Sequence, residues 1–263
     1  MKSYLSVYRD GQLAIDTEAM RRDGVKLFTA TPCYGDLKVY YKSSLGALEN
    51  QLRARGIPMR EYYQVGNSNV GLARAVCCQQ FLASDFTHLL FIDSDIEFDW
   101  QDVVRMLATG VEVVGATYPK KRIRWERVVE AAKRGEFDQL EGAGVELTHI
   151  DLPGGERRGH LKEVAGLPGG FLMIARETFD KILAARPDIV FELSAGGEKA
   201  ADYFPMMRVD GSYRGEDYGF CDLCRQAGVK LWMDCAARVI HHGNYGYSAT
   251  PAQLERLALE AKQ

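Results

Sequence analysis

The feature that most constrains this chain is the run His88-Leu89-Leu90-Phe91-Ile92, followed at once by Asp93-Ser94-Asp95. A short apolar run without alternation reads as a strand buried on both faces, and such a strand needs helices on either side of its sheet. The surrounding segments supply them. Val25 to Ala30 reads as a first strand that breaks at Thr31-Pro32, and Ser44 to Arg55 has helical spacing at Leu45, Leu48 and Leu52 before Gly56 and Pro58 stop it. Arg60 to Val65 is a second strand, Leu72 to Ala83 an amphipathic helix, and Asp99 caps a helix that runs to Thr109. Val111 to Ala116 is the next strand. Alternation of this kind predicts an α/β fold with a mostly parallel, Rossmann-like central sheet flanked by helices.

Beyond Tyr118-Pro119 the pattern weakens. Residues 121–166 read as an excursion, with a helix over Ile123 to Gly135 and a β-rich or mobile stretch from Gly142 to Gly159. Gly169 to Ala175, Val229 to Met233 and Val239 to His241 read as strands, and Arg176 to Ala185 and Asp217 to Ala227 as helices. Residues 1–24 form a lead-in, irregular or a short hairpin, and residues 243–263 an aromatic flap and a C-terminal helix from Pro251 to Lys262. At 263 residues the expectation is a single domain.

The balance of 33 basic and 36 acidic residues, net charge −3, lacks the basic footprint of a nucleic-acid-binding protein. No apolar run is long enough for a membrane span and Met1 to Asp10 is no signal peptide, so a soluble, cytoplasmic protein is expected. The six cysteines lie in apolar or helical segments, and Cys221 and Cys224 read as a buried helix face rather than half of a zinc site.

Asp93 and Asp95 stand where an open α/β sheet binds ligands, at the carboxyl end of a strand. In extended backbone the i, i+2 spacing aims both carboxylates to one side, with Ser94 turned away. Two carboxylates there repel unless a cation or proton intervenes, and hard oxygen ligands suit Mg²⁺ or Mn²⁺. A solvated turn is the bland alternative. A second acidic pair, Glu216 and Asp217, falls in the first turn of a helix. That position favours the ionised form and weakens a base, unless burial compensates. His241 and His242, adjacent on a strand, point to opposite faces, so at most one joins a metal.

Taken in order, Thr31-Pro-Cys-Tyr-Gly35, His88 to Asp95, Val114 to Lys120, Gly169-Gly-Phe-Leu-Met173, Gly215-Glu-Asp217 and Ile240-His-His-Gly243 resemble the GT-A glycosyltransferases. The likeness is to small bacterial, viral and phage members, among them a chlorella-virus rhamnosyltransferase domain. It implies a GT-A fold and transfer of a sugar from a nucleoside-diphosphate sugar, a UDP sugar as first choice, to an acceptor hydroxyl with inversion. It further implies Mn²⁺ or Mg²⁺ held by Asp93, Asp95 and His241. Thr31, Pro32, Tyr34, Asp36, Arg74, Asp93, Ser94, Gly169 and Gly170 would meet the donor, and Asp217, with Glu216 beside it, would be the base. In such enzymes an asparagine often follows the arginine; Ala75 stands there in this chain.

Three other readings compete. A haloacid-dehalogenase-like phosphatase also places DxD after a buried strand, but Thr or Val normally follows, and Ile96 follows in this chain. A nucleotidyltransferase would want a Gly-rich basic loop after the first strand. A non-catalytic carbohydrate- or nucleotide-binding module is the third. The acceptor stays open, a modified nucleobase included.

Overall fold

A computed structural model describes residues 1–7, 13–193, 197–209, 211–243 and 246–260, with side chains only to 256 in the last segment. A nine-stranded sheet organises it. Its strands are β1 (Leu27–Cys33), β2 (Met59–Val65), β3 (His88–Ile92), β4 (Val113–Gly115), β5 (Ile150–Asp151), β6 (Arg157–Arg158), β7 (Leu161–Gly166), β8 (Phe171–Ala175) and β9 (Leu231–Asp234). They lie in the order β2-β1-β3-β8-β4-β9-β7-β5, with β6 also on β7. The pairs β1–β2, β1–β3 and β4–β9 are parallel. The strands β8 and β7 run against their neighbours. The sheet is therefore mixed, which corrects the expectation of a mostly parallel one. The causes are β8, which inserts antiparallel between β3 and β4, and β7, which runs against β9 and β5.

The buried strand β3 behaves as its composition requires. Leu90 and Ile92 join one core with Leu45, Leu48 and Leu52 of α1 (Val39–Ala54) and Val103, Val104 and Leu107 of α3 (Trp100–Ala108). Leu89 and Phe91 face the other core, with Cys77, Cys78 and Phe81 of α2 (Val70–Leu82). The same core takes Phe179 and Ile182 of α5 (Arg176–Ala185) and Phe220 and Leu223 of α6 (Glu216–Gln226). Side chains alternate across a strand, so one apolar run seals two helical layers.

Several boundaries depart from expectation. β1 does not break at Pro32. It pairs with β2 through Cys33, whereas its pairing with β3 ends at Ala30. Beyond Ala30 one side of the strand is an edge, which tolerates a residue without an N–H. Residues 121–166 are less of an excursion than expected: β7 joins the central sheet beside β9, and α4 (Trp125–Lys133) precedes it. The lead-in is a hairpin, Leu5–Val7 with Leu13–Ile15, and a helix, Thr17–Arg22, that Asp16 caps through the Ala19 N–H. Strand Gly246–Ser248 of the expected flap pairs with Ile240–His242; Asn244, Tyr245 and the last three residues of the tail lie outside the described residues. All six cysteines are free and buried, Cys221 and Cys224 within α6.

Candidate active site

The site lies at the carboxyl ends of β3 and β4, and a turn shapes it. The Ile96 N–H donates to the Asp93 carbonyl at 3.1 Å, so the chain reverses at Asp93-Ser94-Asp95 and enters the strand Ile96–Glu97. The extended geometry expected for the acidic pair is thus replaced, because Ile96–Glu97 turns back to pair with Ile240–His242. The two carboxylates consequently meet different partners.

Asp93 meets Arg74, buried on α2. The guanidinium donates to Asp93 Oδ1 and to the Gly169 carbonyl, each at 3.1 Å, and to Glu216 Oε1 at 3.3 Å. Its plane also lies over the Phe91 ring, 5.0 Å from the centroid. Burial alone would lower the arginine's pKa, but the carboxylates of Asp93 and Glu216 raise it, so the charge is permanent. Opposite Asp93, its N–H donates to the Gly170 carbonyl at 2.9 Å, and the Gly170 N–H donates to the Tyr118 hydroxyl at 3.0 Å. Gly170 admits no side chain: an added Cβ would fall 2.3 Å from Tyr118 Oη and 2.5 Å from Asp93 Oδ2.

Asp95 meets the other half. It pairs with the Lys121 ammonium, and His241 Nε2 lies 3.7 Å from its Oδ1. The His241 Nδ1 sits 2.9 Å from the Pro119 carbonyl, which can only accept, so Nδ1 carries the proton and Nε2 presents a lone pair. Burial lowers the His241 pKa and keeps the ring neutral. His242 points the opposite way, to Glu97 at 2.6 Å and flat against Tyr40.

Among the described residues no three His, Cys, Asp or Glu side chains stand close enough together to hold a metal ion. Asp93 is turned to Arg74, leaving Asp95 and His241 as the pair that could share one. That donor set fits Mg²⁺ or Mn²⁺, which take few protein ligands and complete their shell with water and substrate phosphate.

Of the acids opening α6, Glu216 is bound by Arg74. Asp217 is not; its Oδ1 accepts the Tyr218 N–H at 2.8 Å. Burial, then the adjacent Glu216 charge, raise the Asp217 pKa, the compensation that a base at a helix start needs.

The remaining predicted residues are spread. Thr31 is buried, with its hydroxyl 2.6 Å from that of Tyr41, while Pro32 is half-buried. Tyr34 is 75% exposed, and Asp36 is exposed. Ser94 is bound through its carbonyl to the Lys38 N–H at 3.2 Å. Tyr118 is not singled out by the sequence as a site residue, whereas Lys121 falls in the basic run Lys120 to Arg124, for which acceptor or phosphate contact is an open reading. The signal for Tyr118 was the Tyr118-Pro119 end of a strand.

No protein-family model matches this chain, and no curated protein matches it either. Among solved structures, a glycosyltransferase involved in the glycosylation of the major capsid of PBCV-1 is similar over 62% of this chain and 67% of that one, with a TM-score of 0.32 and 9% identity.

Proposed function

We propose that this chain is a metal-dependent glycosyltransferase that moves a sugar from a nucleoside-diphosphate sugar to an acceptor hydroxyl. The observation that carries the reading is the division of labour among four acids. Arg74 pairs with both Asp93 and Glu216, Lys121 pairs with Asp95 beside the lone pair of His241, and Asp217 is left without a paired cation. A phosphatase nucleophile at Asp93 would instead be tied to a guanidinium.

Asp95 and His241 would hold the metal, which when bound supplies positive charge to the diphosphate; Lys121 adds its own beside them. Gly169 and Gly170 let backbone approach the donor, and Tyr118 and Arg74 hold that backbone in place. Asp217 takes the proton of the acceptor hydroxyl as its oxygen bonds to the anomeric carbon. The bond from that carbon to the diphosphate oxygen breaks, and the nucleoside diphosphate leaves with the electron pair. Attack of the acceptor oxygen in line with the departing diphosphate would invert the anomeric centre.

The test is release of nucleoside diphosphate from a panel of UDP, GDP and dTDP sugars with Mn²⁺. Release from one donor class, lost in Asp217→Asn and Asp95→Ala, is expected. Release of inorganic phosphate from simple phosphoesters, with every nucleotide sugar left intact, would contradict the reading.

A further inference from the structure

A cleft of about 390 Å³ opens beside the Arg74–Glu216 pair, lined by Asn69, Leu72, Phe191, Asp202, Phe204 and Met206 along with Gly71. Gly71 fixes its place. An added Cβ there would lie 2.9 Å from the Phe204 carbonyl oxygen and 3.7 Å from Glu216 Cβ. The Phe204 ring also lies under the Arg74 guanidinium, 5.7 Å from its centroid. Behind it α6 is pressed on the same segment, for an added Cβ on Gly219 would fall 1.8 Å from the Pro205 carbonyl oxygen. The cleft is thus bolted to the helix that carries Asp217.

Its lining has a particular chemistry. Asp202 is half-buried, and among the described residues its carboxyl is influenced by burial and the Phe204 N–H and by no paired cation. Burial pushes its carboxyl pKa up, partly offset by the Phe204 N–H. Asn69 uses its Oδ1 on the Leu72 N–H, which leaves its amide nitrogen to donate elsewhere. Phe191 and Met206 supply apolar surface. A carboxylate without a counter-cation repels phosphate, so the cleft does not suit the donor's diphosphate. A carboxylate, a free amide donor and the apolar surface of Phe191 and Met206 together suit a neutral ring carrying hydroxyls on its edges and C–H groups on its face. A second cleft of about 350 Å³ also has Phe191 and Asp202 in its lining, together with Arg186 and Asp188, which pair with each other.

We propose that this cleft is the acceptor subsite and that the acceptor is a glycan, held by Asp202, Asn69 and Phe191. The inference rests on the transferase reading of the Asp217 site. It is tested by saturation-transfer NMR with methyl glycosides and disaccharides of the common hexoses, pentoses and 6-deoxyhexoses. Wild type, Asp202→Asn, Asp202→Ala and Phe191→Ala are compared, with UDP, GDP and dTDP plus Mn²⁺ as a separate thermal-shift control. Binding of at least one glycoside is expected, weakened roughly ten-fold or more in Asp202→Ala, since a hydrogen bond to a charged group is lost. Asp202→Asn, which keeps an acceptor, should recover part of it. Equal binding by wild type and variants, or no binding by any glycoside, overturns the proposal. Glycoside binding that depends on Asp202 in a protein that binds no nucleotide would instead overturn the transferase reading and leave a carbohydrate site.

Discussion

Arg74 and Asp93 are joined by a 3.1 Å bond from Nη2 to Oδ1, and the same guanidinium reaches Glu216 through Nε at 3.3 Å. One buried cation thereby ties the end of β3 to the start of α6. Arg74→Met fits the space but leaves two acids unpaired around an apolar group. It should lower stability by roughly 3 kcal/mol in denaturant unfolding, since breaking a buried pair strands a charge. Arg74→Lys should fall between, because one ammonium cannot meet three acceptors in a plane.

Gly170→Ala puts a methyl group against Tyr118 Oη and Asp93 Oδ2. Both are anchored, so the backbone must yield. A loss of about 1 to 3 kcal/mol is expected from calorimetry, as for other overpacked sites, together with loss of nucleotide-induced stabilisation.

Asp217→Asn should give a protein that is more stable and inactive. The folded-state pKa of Asp217 lies above its unfolded value, first through burial and then through Glu216. Its contribution to stability is therefore full below the unfolded pKa and lost as pH rises through the folded one. At pH 7 the ionised acid is a burden that asparagine removes, a gain of roughly 0.5 to 2 kcal/mol that shrinks in acid. Transfer should fall at least about 100-fold, as loss of a general base requires. Chemical denaturation at pH 7 and pH 4, beside product assays, checks both.

His88 sets an acid limit. Burial at the start of β3 pushes its pKa down to about 4. The unfolded chain takes up this proton near its ordinary pKa, so the contribution is full above that value and lost as pH falls towards about 4. Between pH 7 and pH 5 wild type should lose on the order of 2 kcal/mol more than His88→Leu, read from urea midpoints at each pH.

Legibility differed from element to element for physical reasons. The bounds of α5, Arg176–Ala185, and the two-faced burial of β3 could be read directly, because composition and period decide both. The antiparallel insertion of β8 could not, since an apolar run buried on both faces has no direction. β7 was hidden because Lys162 and Glu163 interrupt its apolar pattern, although the strand pairs with β9. At the site, the sequence marks the acids and His241 by type and position, and the structure sets Asp93 and Glu216 on Arg74 and Asp95 near His241. The turn at Ser94 that separates Asp93 from Asp95 depends on distant pairing with Ile240–His242, which no local rule contains.

The measurement that bears most directly on the central claim is thermal stabilisation by UDP, GDP and dTDP, with and without Mn²⁺, for wild type and Asp95→Ala. A nucleotide at one hundred times its dissociation constant adds about 2.7 kcal/mol. The account predicts a metal-dependent shift with one base, absent in Asp95→Ala. No shift with any of the three in wild type, or a shift of equal size in Asp95→Ala, would contradict it.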